Sequence, residues 1–521
     1  MSIALNESTT ASSAWPSNLS NVQVESQVKA LIATTEANIE RLGVQIRELD
    51  ALRQKELSLL ATLRRMITGT PIGRLPTELL VEIFRLAVQT PVLCKPPSEW
   101  LYEENCTSAL RKVLCLAHVS PYWRQIIHQT PRLWAEAVVD FRFDREQASY
   151  ISGLEAMLNR SAPHSISVYL RAGGRRWSKV VPRVISQTAP RWKNLQTNFD
   201  DFPHFNGLPA EKFAHLEKLH VVNLWSQDSP VTVFRSSPLT HFTLRCAMGT
   251  VKLFHLAWEG LTHIEIRDPS MSGCRSVLLQ CHNLVVATIH TSMEWDIDQS
   301  SVVSPIVTLP FFESLDLTVW DCEFGDTDGL EAFFGPLALP SLKTLDIESH
   351  HDEVETWPTE VFLEFLDRAT KLQWMKLSYS SIEAEGLVSL LRHTPALKTL
   401  KLFACWNSMQ SDAFWNALRY HESDSSPLVP KLERILFDFV GEIIGEDAFL
   451  EAIRSRWWKE DGRVLADGSL PRVSRLKELY VSPSDMEEYM MSISLKARIQ
   501  ELVGEGLNMN VRVGFRSGTP Q

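Results

Sequence analysis

Cysteine pairs at metal-ligand spacing are absent from this chain. Its eight cysteines, at positions 94, 106, 115, 246, 274, 281, 322 and 405, never form C-x-x-C. Neither a zinc knuckle nor a disulfide framework is expected, and the thiols read as small buried hydrophobes in a reducing compartment. Basic excess is absent too: 52 Lys and Arg stand against 63 Asp and Glu, a net charge of -11. That balance argues against nucleic acid or a membrane surface as partner. No apolar run approaches the length of a membrane span and no basic residue precedes Lys29, so neither a transmembrane helix nor a signal peptide is expected. The cytoplasm or nucleus is then the expected location. P-loop, G-x-G-x-x-G, H-E-x-x-H and G-x-S-x-G signatures are missing. His350-His351-Asp352-Glu353 holds ligand-type side chains, but neighbours on one loop rarely converge on one ion. No catalytic residue, metal or cofactor is expected.

What is present is an ordinary globular composition, 44% hydrophobic and 22% charged, in a chain long enough for several domains. Residues 1–21 are rich in Ser, Thr and Asn without periodicity and read as disordered. Residues 22–69 read as a long amphipathic helix stopped by Gly69 and Pro71. One heptad seam takes Glu25, Ile32, Ile39, Ile46, Arg53, Leu60 and Ile67; the other takes Val28, Thr35, Leu42, Leu49, Glu56 and Leu63. Nine of these 13 are aliphatic, and Arg53 and Glu56 interrupt the seam close together. Such a helix either pairs two chains, as a homodimer through residues 22–68, or folds back on its own protein or stands in solvent. The pattern leaves both readings open.

Residues 71–84 then give a proline stop, the pair Leu75-Pro76 and a short helix carrying Leu79, Leu80, Ile83 and Phe84 on one face. Pro76 suits a first turn and Glu78 the positive end of the helix dipole. Some 30 residues on come Leu116-x-x-Val119-Ser120-Pro121-x-Trp123 and Pro131-x-Leu133-Trp134. Together, over residues 71–134, these resemble the F-box, the module that docks onto the Skp-family adaptor of a cullin-RING ubiquitin ligase. Ser120 stands where the family more often has cysteine, the link at 90–107 is longer and more polar than usual, and Pro121 requires a helix to begin there. The resemblance implies that Leu75, Pro76, Leu79, Leu80, Ile83 and Phe84 touch the adaptor, while Trp123 and Trp134 close the module's own core. It implies a non-catalytic receptor subunit, joined to cullin through the adaptor and to a protein substrate that the sequence does not identify. A small helical module cannot bury all its apolar faces, so a partner covering the remainder is expected.

After Trp134 a unit L-x-x-L-x-L recurs, its second and third apolar residues forming one face of a short strand. It starts at Leu216, Leu239, Leu261, Leu284, Phe312, Leu342, Leu372, Leu397, Leu432 and Leu476, with a weaker start at Trp192. Five of these 11 starts have proline two residues earlier, far above the 27 prolines in 521 residues overall. The spacing, 22 to 44 residues, is that of leucine-rich repeats drifting long. Early gaps hold little helical pattern. Helices are expected over 359–370, 384–393, 411–420, 447–457 and 485–502, with a last strand through Leu507 to Phe515. The repeat's Asn/Cys position, eight residues after the first Leu, is met only by Cys405. The expected class is α/β: a long helix (22–69) and a small all-α module (70–136), then an irregular leucine-rich-repeat solenoid with a curved parallel sheet (137–516) and a tail (517–521). An ordinary α/β sheet protein is the alternative.

In a solenoid the residues between the apolar ones line an open face. Asp316 and Asp346 are expected as neighbours there, followed by Lys376 and Lys401, with Arg245 beside Arg267 and aromatic Trp374 and Phe403 nearby. Trp374, Lys376, Lys401 and Phe403 form the sharpest candidate patch, suited to an acidic or phosphorylated segment of a target. A second class of function, a binding scaffold that recruits no ligase, uses the same face. The row His220, His241, His263 and His290 lacks tight ligand geometry for a metal.

Overall fold

Apolar residues two apart put one face of a short strand into a core, and a unit that repeats them needs a neighbour on each side. The computed structural model describes residues 21–67, 72, 75–88, 106–135, 139–142, 148–171, 184, 186–198, 205, 208–222, 230–245, 251–292, 305–320, 328–350, 357–405, 408, 411–439, 445–458, 471–483 and 493–511. Of the expected disorder at 1–21 only Asn21 is described, as the first residue of a helix; residues 1–20, most of the link at 90–107, the run His351-Asp352-Glu353, the end of the last strand and the tail lie outside the described residues. The chain divides into two units, residues 1–83 and 84–521.

In the first unit, α1 (Asn21–Ile67) is one continuous helix, and nearly all its described side chains are exposed. Lys29 and Glu25 pair along it at 2.7 Å. Leu75 and Pro76 lead into α2 (Thr77–Val88), where the Pro76 carbonyl accepts from the Leu80 amide at 3.1 Å. No helix among the described residues is long and apolar enough to cross a membrane.

The second unit begins within α2 and continues through α3 (Cys106–Val119), α4 (Pro121–Gln129) and α5 (Pro131–Ala135). Pro121 is no obstacle because it opens α4, and Ser120 caps it, its hydroxyl accepting from the Trp123 amide at 3.1 Å. Ile126, Ile127, Leu133 and Trp134 are buried, and the Trp134 indole donates to the Ile127 carbonyl at 2.8 Å. Phe84 packs on Trp123 with ring centroids 4.6 Å apart.

Beyond α5 lie sixteen described strands. The first seven are β1 (Val139–Arg142), β2 (Ile166–Arg171), β3 (Trp192–Asn198), β4 (Lys218–Val222), β5 (His241–Arg245), β6 (His263–Arg267) and β7 (Val286–Ser292). Next come β8 (Val307–Thr308), β9 (Ser314–Trp320), β10 (Leu337–Ala338), β11 (Thr344–His350) and β12 (Trp374–Ser378). The last four are β13 (Thr399–Phe403), β14 (Arg434–Phe439), β15 (Glu478–Pro483) and β16 (Asn508–Val511). Fourteen form one sheet in chain order, every pair parallel, while β8 and β10 pair separately. The register joins the second apolar residue of successive repeats: Leu219, Phe242, Ile264, Ala287, Leu315, Leu345, Met375, Leu400, Ile435 and Leu479 are neighbours in turn. All ten are at most 3% exposed. From β1 onward this unit is a leucine-rich-repeat-like solenoid.

Between the strands run α6 (Ala148–Arg160), α7 (Met271–Leu278), α8 (Asp328–Phe334), α9 (Thr359–Asp367) and α10 (Ala384–Arg392). The series closes with α11 (Asp412–Leu418), α12 (Glu446–Arg456) and α13 (Ile493–Gly504). From α7 to α12 each helix packs on the next. Phe334 meets Phe362 and Phe365, and Trp415 meets Phe449 and Phe437. Cys405 fills the repeat's Asn/Cys position, its thiol donating to the Leu377 and Phe403 carbonyls at 3.4 Å. One expectation needs correction. The early gap after β6 does hold a helix, α7, capped by Ser270 and burying Met271, Cys274, Val277 and Leu278. The sheet starts at β1, two strands before the weak repeat at Trp192, because Ile166, Val168 and Leu170 alternate inward on β2 and β2 pairs with β1.

Candidate functional site

Two surfaces carry the residues singled out from the sequence. On α2 the four apolar residues do not share one exposed face. Leu80, Phe84 and Val88, spaced four apart, form a stripe that is at most 1% exposed. Leu79, Ile83 and Leu86 form a neighbouring stripe, with 52, 40 and 59% exposed. Leu80 and Phe84 are therefore core residues and not a contact surface, while Leu79 and Ile83 remain on the outside with Pro76 and half-buried Leu75. Trp134 closes the core as expected, and Trp123 is half-buried over Phe84.

The second surface is the face of the sheet opposite the buried leucines. Asp316 and Asp346 are register neighbours on β9 and β11, and Asp346, Lys376 and Lys401 follow one another across β11, β12 and β13. Burial, then the Asp346 charge, pushes the Asp316 carboxyl up to about 6. Burial also raises Asp346, against the pull of Lys376. Lys376 reaches Asp346 at 3.2 Å and Glu348 at 2.9 Å. Burial works against the Lys376 charge, but these carboxylates outweigh it and raise its pKa. Glu348 was not among the residues singled out; its signal is its place two residues beyond Asp346 on the same face of β11.

The sharpest candidate patch is thus assembled in part. Trp374 and Lys401 meet, the ammonium 5.0 Å from the ring centroid. Phe403 lies half-buried beside Ser378 on the neighbouring strand. Lys376 turns toward the carboxylates and offers an anion far less than a bare lysine would. Trp374 also borders a shallow cavity of about 290 Å³ with Lys343, Gln373, Lys398, Glu433 and Arg434.

Toward the other end of the face, Arg245 and Arg267 are neighbours as expected. Arg245 grips Glu265 through Nε at 3.0 Å and Nη2 at 2.8 Å, and burial still raises the Glu265 pKa. His241 and His263 stack with centroids 4.3 Å apart, each Nδ1 sharing a hydrogen bond of 2.9 Å with the preceding threonine. Burial, then Lys218, lowers His241 to about 4. Burial likewise lowers His220 to about 3 and His290 to about 4, so these two and His241 are uncharged at neutral pH, and burial, then Lys218, lowers His263 too. Among the described residues no group of three or more His, Cys, Asp or Glu is placed to hold a metal ion.

No protein-family model matches the chain, and no curated protein matches it. Among solved structures it is similar to the leucine-rich repeat-containing protein LegL7 from Legionella pneumophila, at 13% identity and a TM-score of 0.29, over 70% of this chain and 98% of that one. The repeat is visible in the chain's own strand register, independently of that likeness.

Proposed function

We propose that this chain is the substrate-recognition subunit of a cullin-RING ubiquitin ligase, working in the cytoplasm or nucleus. In this reading the helical module at 71–134 holds a Skp-family adaptor, and the open face of the solenoid captures a target protein. The chain performs no chemistry. It holds lysines of the target near the ubiquitin-charged enzyme, and proximity of that kind lowers a barrier by several kcal/mol.

The observation that carries the adaptor reading is the divided α2 surface. Leu80 and Phe84 lie inside, and Leu79 and Ile83 lie outside where a partner can cover them. Target capture draws on an open face that mixes an acidic centre, the Arg245–Glu265 pair and the Trp374–Lys401 contact. Such a texture selects by local charge pattern and not by one dominant sign.

A pull-down with a purified Skp-family adaptor tests the docking surface. The variant carrying Leu79→Ala and Ile83→Ala should lose capture, at about 2 kcal/mol or more for each residue that is a hot spot. Its helical circular dichroism should stay unchanged, because both side chains are outside the core. Equal capture by wild type and variant would refute this surface. If wild type captures no adaptor, the solenoid is a binding scaffold that recruits no ligase.

A further inference from the structure

Among the described residues of α1, 13 large apolar side chains are exposed, Ile39 and Leu49 by 64% each. At 1.5 Å per residue its 47 residues extend about 70 Å. Helices in water draw most of their stability from covering an apolar face, and soluble proteins rarely leave a long one open. The covering partner has to accommodate one awkward feature. Arg53 and Glu56 sit on the seam itself, between Leu49 and Leu60.

That pair of charges distinguishes the ways two copies can meet. In a parallel coiled coil each seam residue faces its own counterpart, so Arg53 would lie against Arg53 and Glu56 against Glu56. Two adjacent like-charge layers would then occupy the middle of the apolar strip, a destabilising arrangement. In an antiparallel pair the two kinds of seam position face each other. The register that sets Arg53 across from Glu56 of the second copy also sets Leu49 across from Leu60 and Ile46 across from Leu63, each contact occurring twice. Between residues 46 and 63 no seam aliphatic is then opposed by a charge. Leu52, Leu57 and Leu59, also exposed, flank the same stretch and widen its apolar strip. An apolar partner of another kind would leave both charges unpaired; the same stretch of a second copy, reversed, supplies both complements.

We propose that α1 is a homodimerisation helix whose stretch Ile46–Leu63 pairs antiparallel with itself, Arg53 and Glu56 forming two reciprocal ion pairs that fix direction and register. The pairing is independent of the adaptor reading and survives its failure.

The test uses the full chain. Light-scattering mass at micromolar concentration should be twice 59.2 kDa. Arg53→Glu should raise the dimer dissociation constant about tenfold or more, and adding Glu56→Arg to it should restore dimer, which also shows that the first variant folds. For direction, Leu49→Cys and Leu60→Cys chains are mixed and oxidised. A 49–60 disulfide, located by mass spectrometry, should dominate over 49–49 and 60–60 products. A wild-type monomer or tetramer overturns the proposal, as does an unrescued Arg53→Glu chain. A dominant 49–49 disulfide overturns the direction and with it the role of the two charges.

Discussion

His220 is buried near the start of the open face, its pKa lowered to about 3 by burial and then by Arg245, while Asp316 further along is raised to about 6. The two respond to acid with opposite sign. An unfolded histidine takes its proton near pH 6.5 and folded His220 only near 3, so between those values the unfolded chain binds more protons and stability falls as pH falls. The folded Asp316 carboxyl is protonated below about 6, but its unfolded counterpart only below 3.8. Its penalty is therefore complete above pH 6 and fades as pH drops toward 4. Asp316→Asn should stabilise the solenoid by about 1 kcal/mol at pH 7 after allowing for solvent screening, and not at all near pH 3.5. His220→Gln should flatten the loss of stability between pH 7 and 4. Urea midpoints across that range read both, and an Asp316→Asn chain no more stable than wild type at pH 7 would mean the carboxyl pays no burial penalty. These shifts were hidden in the sequence. Asp316 beside Asp346 was legible from repeat spacing, but the closure of Lys376 onto Glu348 depends on side-chain reach across repeats of unequal length.

Elements were legible where their apolar residues filled the helical period over two turns or more. Thr359–Asp367, Ala384–Arg392 and Glu446–Arg456 form as expected. Met271–Leu278 escaped because it is barely two turns long and carries Ser272, Gly273 and Arg275 among its buried positions. The α2 face is ambiguous for the opposite reason: opposite the polar stripe of Glu78, Glu82 and Arg85 the apolar arc is broad, from Leu79 and Leu86 through Ile83 to Leu80, Phe84 and Val88, so its period cannot say which of two adjacent stripes turns inward. At the end of α12, Arg456 is 1% exposed, and its guanidinium donates to the carbonyls of Leu418, Val429 and Leu428 at 2.7, 3.2 and 2.5 Å. Burial lowers its pKa to about 10, so the charge persists at neutral pH. It pins the segment between α11 and β14, where Val429 takes a positive φ of 38°. Arg456→Met keeps the apolar stem but strands three carbonyls and should cost about 3 kcal/mol or more. Thermal unfolding measures the loss; a shift under about 1 kcal/mol would mean that water replaces the guanidinium freely.

Across the whole sheet each strand touches only the strands before and after it, so stability is expected to be a sum of repeat and neighbour terms and not one indivisible quantity. The terms are unequal. Ladders joining β7, β9 and β11 run over seven residue pairs each, whereas the ladders that attach β1 and β16 run over four. Amide exchange should therefore be slowest in β7, β9 and β11 and quicken toward both edges, which open without the centre. Substitutions should inherit this gradient. Leu315 on β9 is wholly buried, and Leu315→Ala should cost about 3 kcal/mol. Because β9 links both halves of the array, protection should fall on each side of it. Leu479→Ala on β15 removes a comparable side chain, 1% exposed, but should strip protection only from β14 to β16. Hydrogen exchange read by mass spectrometry separates the two patterns. If both variants lower protection evenly from β1 to β16, the repeats fold as one cooperative block, and nearest-neighbour stacking does not describe this molecule.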